Sequence, residues 1–344
     1  MIQKIKLTNF RKFKNLEIDI TKPIVILHGD NAKGKSTILE AIYILSNGQS
    51  PWASTDEYIN NKGKHTRIEI TTESNTYSFY KDENKRIHQI DQTNTTPKKF
   101  FSQNSATIFN PEQIEILMIS PSKRREFLDE VISQTNYEYI ETLKKFKRVL
   151  KQRNAYLKKL SKKFYEKGII ARNDPQLNFW SNEFIELATE IRSKREQLIK
   201  EMKTDIFHLE YEIPIIEDKD IEKALEDSKK RDIATGYTNI GPHRDDWQVF
   251  NGKNIKKFGS RGEKRLAIGE LIFQTQNIIA NKLGFYPILL LDDIASELDE
   301  NNTKKIFRKE ILDKQQTFIT IIHKEELPKE ILKIAQDIDL NKIK

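Results

Sequence analysis

The stretch Gly29-Asp30-Asn31-Ala32-Lys33-Gly34-Lys35-Ser36 decides the fold of this chain. It matches the pattern G-x-x-x-x-G-K-[ST] and lies between an apolar run, IVILH at 24–28, and a helix-forming run, STILEAIYIL at 36–45. The backbone N–H groups of such a turn and the N-terminus of the following helix surround phosphate groups. We therefore expect Lys35 to contact the β- and γ-phosphates of a nucleotide, the Ser36 hydroxyl to ligate Mg²⁺, and Thr37 to pack or make a secondary phosphate contact. The alternative is a glycine-rich turn that happens to precede a helix.

A second apolar run, ILLL at 288–291, ends in two carboxylates, Asp292 and Asp293. Such a strand places acids beside the γ-phosphate, so it is typical of a Walker B motif. We expect Asp292 to hold Mg²⁺ and Asp293 to orient or deprotonate the attacking water. Two acids that only solubilise a strand end are the alternative, but the later apolar run TFITII at 317–322 favours a parallel nucleotide-binding sheet.

The stretch FGSRGEKR at 258–265 runs into the helical pattern LAIGELIFQTQNIIA and is similar to the signature loop of ABC-type ATPases. In such a loop a serine hydroxyl and a helix N-terminus bind the γ-phosphate held by the other subunit, so the site is complete only in a dimer. Ser260 is the candidate, and an ordinary helix cap is the alternative. Ser296-Glu297-Leu298-Asp299 matches the D-loop position, and His323 falls near the position of a switch histidine.

Long charged helices are predicted from Pro121 onward. Asp174 and Pro175 fit the N-cap and first position of a helix, and a preceding helix is expected over 137–167, ~45 Å long at ~1.5 Å per residue. Two antiparallel helices that form a projecting arm are predicted, because apolar residues recur at heptad spacing in both: Leu143, Phe146, Leu150, Leu157, Leu160 and Phe164, then Leu177, Trp180, Phe184, Leu187, Ile191 and Leu198.

The formal net charge of +8 is concentrated in the first of these helices. Residues 141–167 contain eleven basic and two acidic side chains, which leaves the rest of the chain close to neutral. Such a face is suited to the phosphates of double-stranded DNA, with Lys151, Lys158 and Lys162 as candidate contacts. A merely solvated helix face is the alternative.

Composition excludes several other classes of protein. The chain has no cysteine, which removes disulfides, thiol catalysis and iron–sulfur clusters and fits a reducing, cytoplasmic setting. Its longest apolar runs are far shorter than the ~20 residues that span a bilayer, so we expect no membrane segment.

Seven landmarks occur in order along the chain: Leu7-Thr8-Asn9-Phe10-Arg11, the phosphate loop, PEQIEILMISPSKRREFLD at 111–129, LKQRNAYLK at 150–158, GPHRDD at 241–246, SRGEKR at 260–265 and LLLDDIASELD at 289–299. Together they resemble the RecF family, bacterial recombination mediators with a head similar to that of SMC-type ATPases. The chain departs from the family pattern at Ala32 and Ile119, where glycines are usual, and at Arg261 and Glu263, where glutamines are usual. The resemblance implies that Arg11 lies near the nucleotide and that Gln113 is a Q-loop residue.

The expected fold is α/β, an ABC-type ATPase head with a parallel sheet core and an antiparallel β extension. The head is assembled from residues 1–115 and 233–344, and an α-helical hairpin lobe is inserted at 116–232. The resemblance implies a weak, DNA-stimulated ATPase that uses ATP and Mg²⁺, forms an ATP-dependent homodimer and binds DNA at single-strand gaps. It further implies RecO and RecR as partners in recombinase loading, replication restart and the SOS response. The alternative is another SMC-like or ABC-type ATPase that acts in protein interaction or transport without binding DNA, but a transporter ATPase would lack the basic arm.

Overall fold

The structure of the chain is a computed structural model. It describes residues 1–52, 59, 64–110, 120–168, 174–202, 204, 206–213, 220–293 and 313–343. The chain divides into two compact units. The first unit comprises Met1–Ile114 and Ser260–Lys344, and the second comprises Glu115–Gly259. Among the described residues, no helix is long and apolar enough to span a bilayer.

The N-terminal part of the first unit begins with a strand hairpin and then enters the phosphate loop. Strand β3 is buried along nearly its whole length, as expected for a strand of a parallel sheet, whereas β4 alternates buried and half-exposed residues. The elements are β1 (Ile2–Phe10), β2 (Phe13–Asp19), β3 (Ile24–His28), α1 (Lys35–Asn47), β4 (His65–Thr72), β5 (Thr76–Asp82), β6 (Arg86–Ile90), β7 (Thr93–Thr95), α2 (Pro97–Phe101) and β8 (Ala106–Phe109).

The second unit follows as helices and short strands. These are α3 (Pro121–Thr135), α4 (Tyr137–Lys167), α5 (Pro175–Glu201), β9 (His208–Glu212), α6 (Ile221–Thr235), β10 (Asp246–Asn251), β11 (Lys253–Asn254) and α7 (Ile255–Phe258). The chain then returns to the first unit through α8 (Arg261–Leu283), β12 (Ile288–Leu291), β13 (Thr317–Ile321), a 3-10 turn (Lys324–Glu326), α9 (Lys329–Ile334) and β14 (Gln336–Asp339).

Two sheets organise the first unit. The parallel sheet has the order β14-β3-β13-β12-β8, so β3, which leads into the phosphate loop, and β12, which ends at Asp292, are separated only by β13. The antiparallel sheet has the order β2-β1-β4-β5-β6-β7. The α/β class with a parallel core and an antiparallel extension is therefore confirmed.

In the second unit α4 and α5 pack as an antiparallel pair. The Phe146 and Phe184 rings are in contact near the middle of the pair, with centroids 5.3 Å apart and planes tilted by 40°. The Tyr156 hydroxyl donates to the Asp174 carboxylate near one end. Asp174 also accepts from the Leu177 backbone N–H, as the N-cap prediction required. Phe146, Leu157, Leu177, Phe184, Ile191 and Leu198 of the predicted heptad positions are buried.

Each predicted heptad series skips one turn, and a buried arginine lies in each gap: at the skipped position itself in α4, and one residue after the skipped position in α5. Arg153 lies between Leu150 and Leu157, and its guanidinium pairs with the fully buried carboxylate of Asp232 at 2.9 Å. Arg195 lies between Ile191 and Leu198 and pairs with Asp129. Ion pairs therefore continue both seams where apolar residues are missing.

The second unit ends later than the sequence division at 232, which falls inside α6. Strand β10 pairs with β9 in a third, antiparallel sheet, and buried Trp247 donates its indole N–H to the Arg124 carbonyl at 2.6 Å. The Arg124 guanidinium in turn binds both oxygens of Asp246, at 2.6 and 2.8 Å. Residues 233–259 thus belong with the helical arm.

Candidate nucleotide-binding site

The phosphate loop connects β3 to α1 and takes a shape that only particular residues allow. Gly34, the residue before α1, has φ of 97°, a left-handed conformation that favours glycine. A Cβ atom on Gly34 would lie 2.5 Å from Cζ of Phe13, which covers the loop from the start of β2. Glycine is therefore required here by both backbone angle and space.

Lys35 is held by hydrogen bonds to backbone carbonyls of the phosphate loop. Its ammonium donates to the Gly29 carbonyl at 2.6 Å and to the Asp30 carbonyl at 3.0 Å. Burial lowers the pKa of Lys35, and the nearby carboxylates of Asp293, Asp292 and Asp30 oppose that shift. The ammonium is held inside the curve of the loop, where phosphate oxygens would replace the carbonyls.

Ser36 and Asp292 are brought together from 256 positions apart in the sequence. The Ser36 hydroxyl donates to the Asp292 carboxylate at 2.9 Å, and the Thr320 hydroxyl on β13 donates to the same oxygen. Burial raises the pKa of Asp292, while these two hydrogen bonds and Lys35 oppose the shift.

The side-chain oxygens of Ser36 and Asp292 are suitable ligands for Mg²⁺. A hydroxyl and a carboxylate are hard oxygen ligands, and Mg²⁺ in nucleotide sites is typically held by one or two such protein ligands together with phosphates and water. No cluster of three or more His, Asp or Glu suited to a metal is present within the described residues. Ser36 and Asp292 are thus the protein groups that would hold this ion.

Asp293 follows in an unusual backbone conformation. Its φ of 48° lies in the left-handed region, and its backbone N–H donates to the Thr320 hydroxyl at 2.9 Å. Thr320 therefore fixes both acids of the pair, which sequence reasoning did not detect because a threonine inside a buried strand gives no distinctive signal.

A cleft of about 440 Å³ joins these groups. Its lining includes residues 31–37 of the loop, Asp292, Asp293, Thr320 and Arg11. Thr37 and Arg11, expected near a nucleotide, are thus both placed at the cleft wall.

Ala32, one of the departures from the family pattern, also lies in this wall. Its φ of 61° is the left-handed conformation for which glycine is usual, and its carbonyl accepts a hydrogen bond from the Lys12 ammonium. The alanine therefore adopts the glycine conformation with some backbone strain.

Ser260 and His323, two further candidates for contacts with the nucleotide, lie outside the described lining of the cleft. Ser260 is exposed and caps α8: its hydroxyl accepts from the Glu263 N–H at 3.3 Å, and the Glu263 carboxylate accepts from the Ser260 N–H at 2.7 Å. Neither Ser260 nor the exposed His323 is among the described residues that line the cleft. Gln113 and the D-loop match at 296–299 lie outside the described residues.

The candidate DNA contacts lie on α4 in the second unit. Lys151, Lys158 and Lys162, called the arm lysines from here on, are all exposed. The Lys158 ammonium lies 4.8 Å from the centroid of the Tyr237 ring, and Lys162 lies 3.8 Å from the Glu166 carboxylate. The buried Arg153 of the same helix does not contribute to the outward charge.

Structure also adds residues that the sequence did not single out. Glu40 on α1 is buried and accepts two hydrogen bonds from Arg11, and Lys12 holds the loop through the Ala32 carbonyl. The sequence gives only one signal for Glu40: it is a glutamate inside an apolar helical run, four residues after Ser36.

The site combines two features that define a class of protein. A phosphate loop lies between a parallel strand and a helix, and it faces buried Asp292 and partly buried Asp293 at the end of a nearby strand of the same sheet. The chain is a P-loop nucleotide-binding protein with an ABC-type head.

Comparison with known proteins narrows this class. A family model described as an AAA domain matches residues 4–239. The DNA replication and repair protein RecF of Clostridium kluyveri is 35% identical over 354 residues, which cover 97% of this chain and 96% of the relative. The RecF of Natranaerobius thermophilus is 31% identical over 361 residues, which cover 93% of this chain and 90% of the relative.

A solved structure extends the agreement to three dimensions. The recombination mediator protein RecF with ATPrS, in the RecFOR pathway, superposes with a TM-score of 0.82 at 26% identity, covering 95% of this chain and 94% of that chain. The chain belongs to the RecF family, as the sequence landmarks predicted.

Proposed function

We propose that this chain is an ATP-dependent, DNA-binding recombination mediator that dimerises when it binds ATP. The observation that carries the proposal is the meeting of Lys35, Ser36 and the two aspartates around one cleft. The RecF structures similar to this chain contain ATP or ATPrS by their descriptions, which supports ATP as the nucleotide.

Binding is the task of the loop. Lys35 exchanges its two carbonyl partners for β- and γ-phosphate oxygens, and the backbone N–H groups at the start of α1 face the phosphates. Arg11 adds a further positive charge at the cleft wall. Because the loop geometry is already formed, little ordering is needed when the nucleotide enters.

Hydrolysis is the task of the aspartate pair. Mg²⁺, when bound, neutralises charge on the β- and γ-phosphate oxygens. Ser36 and Asp292 supply its protein ligands, and Asp293 orients the attacking water and accepts its proton. The slow turnover expected of the family makes hydrolysis a timer that releases the dimer.

The position of Ser260 supports the proposed dimerisation. It caps α8 at an exposed point, so its hydroxyl and the helix N-terminus are available to the γ-phosphate bound by the partner subunit. The Ser260 cap and a role in the signature loop are compatible, since the cap fixes the hydroxyl at the helix end.

DNA binding is assigned to the arm. The arm lysines present positive charge along one helix, which suits contacts with the phosphates of duplex DNA near single-strand gaps. RecO and RecR are the proposed partners, and recombinase loading in gap repair, replication restart and the SOS response is the proposed outcome.

Light scattering after size exclusion, with and without ATP and duplex DNA, tests the composite site. Lys35→Ala should weaken ATP binding at least about tenfold and abolish the ATP-dependent dimer, because a charged hydrogen-bond donor to the phosphates is lost. Asp293→Asn should bind ATP and hold the dimer, with hydrolysis lowered about 10²–10⁴-fold. Ser260→Arg should bind ATP as a monomer.

The control is Lys6→Ala, which removes an exposed lysine on β1 that pairs only with Glu17 among the described residues. It should behave like the parent in every assay. An ATP-dependent dimer in Lys35→Ala or Ser260→Arg, or parental hydrolysis by Asp293→Asn, would refute the corresponding assignment.

A further inference from the structure

Glu40 is an acid in a place where packing alone favours an apolar side chain. It lies on α1, where Ile38, Leu39, Ala41 and Ile42 are fully buried, and its own exposed fraction is 3%. Its carboxylate accepts from the Arg11 guanidinium through Nε at 2.9 Å and Nη2 at 2.7 Å, and from the Ser50 hydroxyl at 2.5 Å. A buried ion pair adds little stability over an apolar replacement, so stability does not account for this residue.

Arg11, the partner, belongs to the turn between β1 and β2 and is held in a strained conformation. Its φ of 50° is left-handed, and its side chain is 27% exposed at the cleft wall. The neighbouring residues of the turn dock on the phosphate loop, Lys12 through the Ala32 carbonyl and Phe13 over Gly34. With the backbone fixed in this way, the remaining freedom is the orientation of the guanidinium.

Glu40 fixes the orientation of the Arg11 guanidinium. It does so from α1, the helix that begins at the phosphate loop. Ser36 and Glu40 are four residues apart, so they lie on the same face of α1. A bidentate pair fixes both the position and the plane of a guanidinium. Arg11 is thereby locked to the element that holds Lys35 and Ser36.

We propose that Glu40 is a positioning residue that orients Arg11 toward the phosphates of the bound nucleotide. The inference rests on the proposed function, since it needs a nucleotide in the cleft. It assigns Glu40 no contact with the nucleotide itself: the carboxylate acts through Arg11, and its negative charge would repel phosphate directly.

Calorimetric titration with ATP tests the proposal on four proteins: the parent, Glu40→Gln, Arg11→Ala and the double variant. Glu40→Gln should weaken ATP binding about tenfold, the scale seen when a partner that orients a binding group is removed. In the Arg11→Ala background, Glu40→Gln should not change ATP affinity further, yet it should raise the melting temperature because it removes an unpaired buried charge. In steady-state hydrolysis, Glu40→Gln should raise KM about tenfold with kcat within about twofold of the parent.

Glu17→Gln is the matched control, because Glu17 is an ion-paired carboxylate on β2 of the same unit. It should leave ATP affinity unchanged. If Glu40→Gln does not fold, Arg11→Lys replaces it: a lysine keeps the charge but cannot form the bidentate pair, so affinity should fall at least fivefold.

Several results would overturn the inference: parental affinity in Glu40→Gln or Arg11→Lys, or an equal loss caused by Glu40→Gln with and without Arg11. Lys35→Ala separates this failure from failure of the proposed function. If Lys35→Ala weakens ATP binding at least about tenfold while Glu40→Gln binds as the parent does, only the role of Glu40 is refuted. If Lys35→Ala binds ATP normally, the nucleotide site itself is refuted.

Discussion

The buried pair between Arg153 and Asp232 should be the most sensitive point of the second unit. Arg153 is 1% exposed and Asp232 is fully buried; their contact is 2.9 Å, and Arg153 also donates to the Thr238 hydroxyl at 2.6 Å. Asp232 in turn accepts from the Asn239 backbone and side-chain N–H groups. The pair therefore joins α4, α6 and the turn after α6.

Arg153→Met should destabilise this unit by ~3–5 kcal/mol, because it leaves a buried carboxylate without its counter-charge. At ~2–4 °C per kcal/mol for a unit of this size, the melting temperature should fall by about 10 °C. The double variant Arg153→Met/Asp232→Leu should lose less than the sum of the single losses, since neither charge is then left alone.

Urea unfolding followed by tryptophan fluorescence measures this loss. The chain has three tryptophans, and Trp52→Phe leaves only Trp180 and Trp247, both in the second unit. The matched control is Lys162→Met on the same helix, whose exposed pair with Glu166 should contribute under ~0.5 kcal/mol. A loss below ~1 kcal/mol for Arg153→Met, close to that of the control, would refute the reasoning.

Three further predictions concern other parts of the chain. Reversing the arm lysines to Glu should weaken binding to all duplex DNA sequences alike and flatten the slope of log affinity against log salt by about 0.9 per lost contact. The same reversal at Lys145, Lys159 and Lys163, on another face of α4, should change both quantities less. Ala32→Gly should stabilise the first unit by about 0.5 kcal/mol in thermal unfolding, because relief of left-handed strain (~1–2 kcal/mol) exceeds the added freedom of the unfolded chain (~0.4–1 kcal/mol). Burial lowers the pKa of His243 to about 4, so its neutral form favours the folded state; stability should be full above pH ~6.5 and fall between pH ~6.5 and 4, and His243→Gln should flatten this fall near pH 5 by about 1 kcal/mol per pH unit.

Much of the fold followed from local patterns. The phosphate loop, the apolar run before Asp292 and the rule that parallel strands end at the same edge were enough to place Ser36 beside Asp292 across 256 positions. The ends of α4 were predicted at Tyr137 and Lys167 because heptad spacing and the following glycine define a helix and its stop.

The packing of the second unit was harder to predict from the sequence, because buried ion pairs join its helices. Heptad analysis treats an arginine as a surface residue, so it left a gap in each series where Arg153 and Arg195 are buried. Their partners, Asp232 and Asp129, are distant in sequence and have no periodicity of their own. The GPHRDD landmark is explained in the same way, since Asp245 and Asp246 bind the buried guanidinium groups of Arg192 and Arg124.

The positions of strained backbone residues also indicate the nucleotide cleft, independently of the sequence motifs. Of the six non-glycine residues with positive φ among those described, three line the cleft: Arg11, Ala32 and Asp293. Each is held by a contact from another element: Glu40 on α1 binds Arg11, Lys12 binds the Ala32 carbonyl, and Thr320 on β13 binds the Asp293 N–H. Strained residues persist only where their surroundings fix them. Because these contacts are made between protein groups alone, the protein itself maintains the shape of the cleft, and binding energy can be used for contacts with the phosphates instead of for ordering the loop.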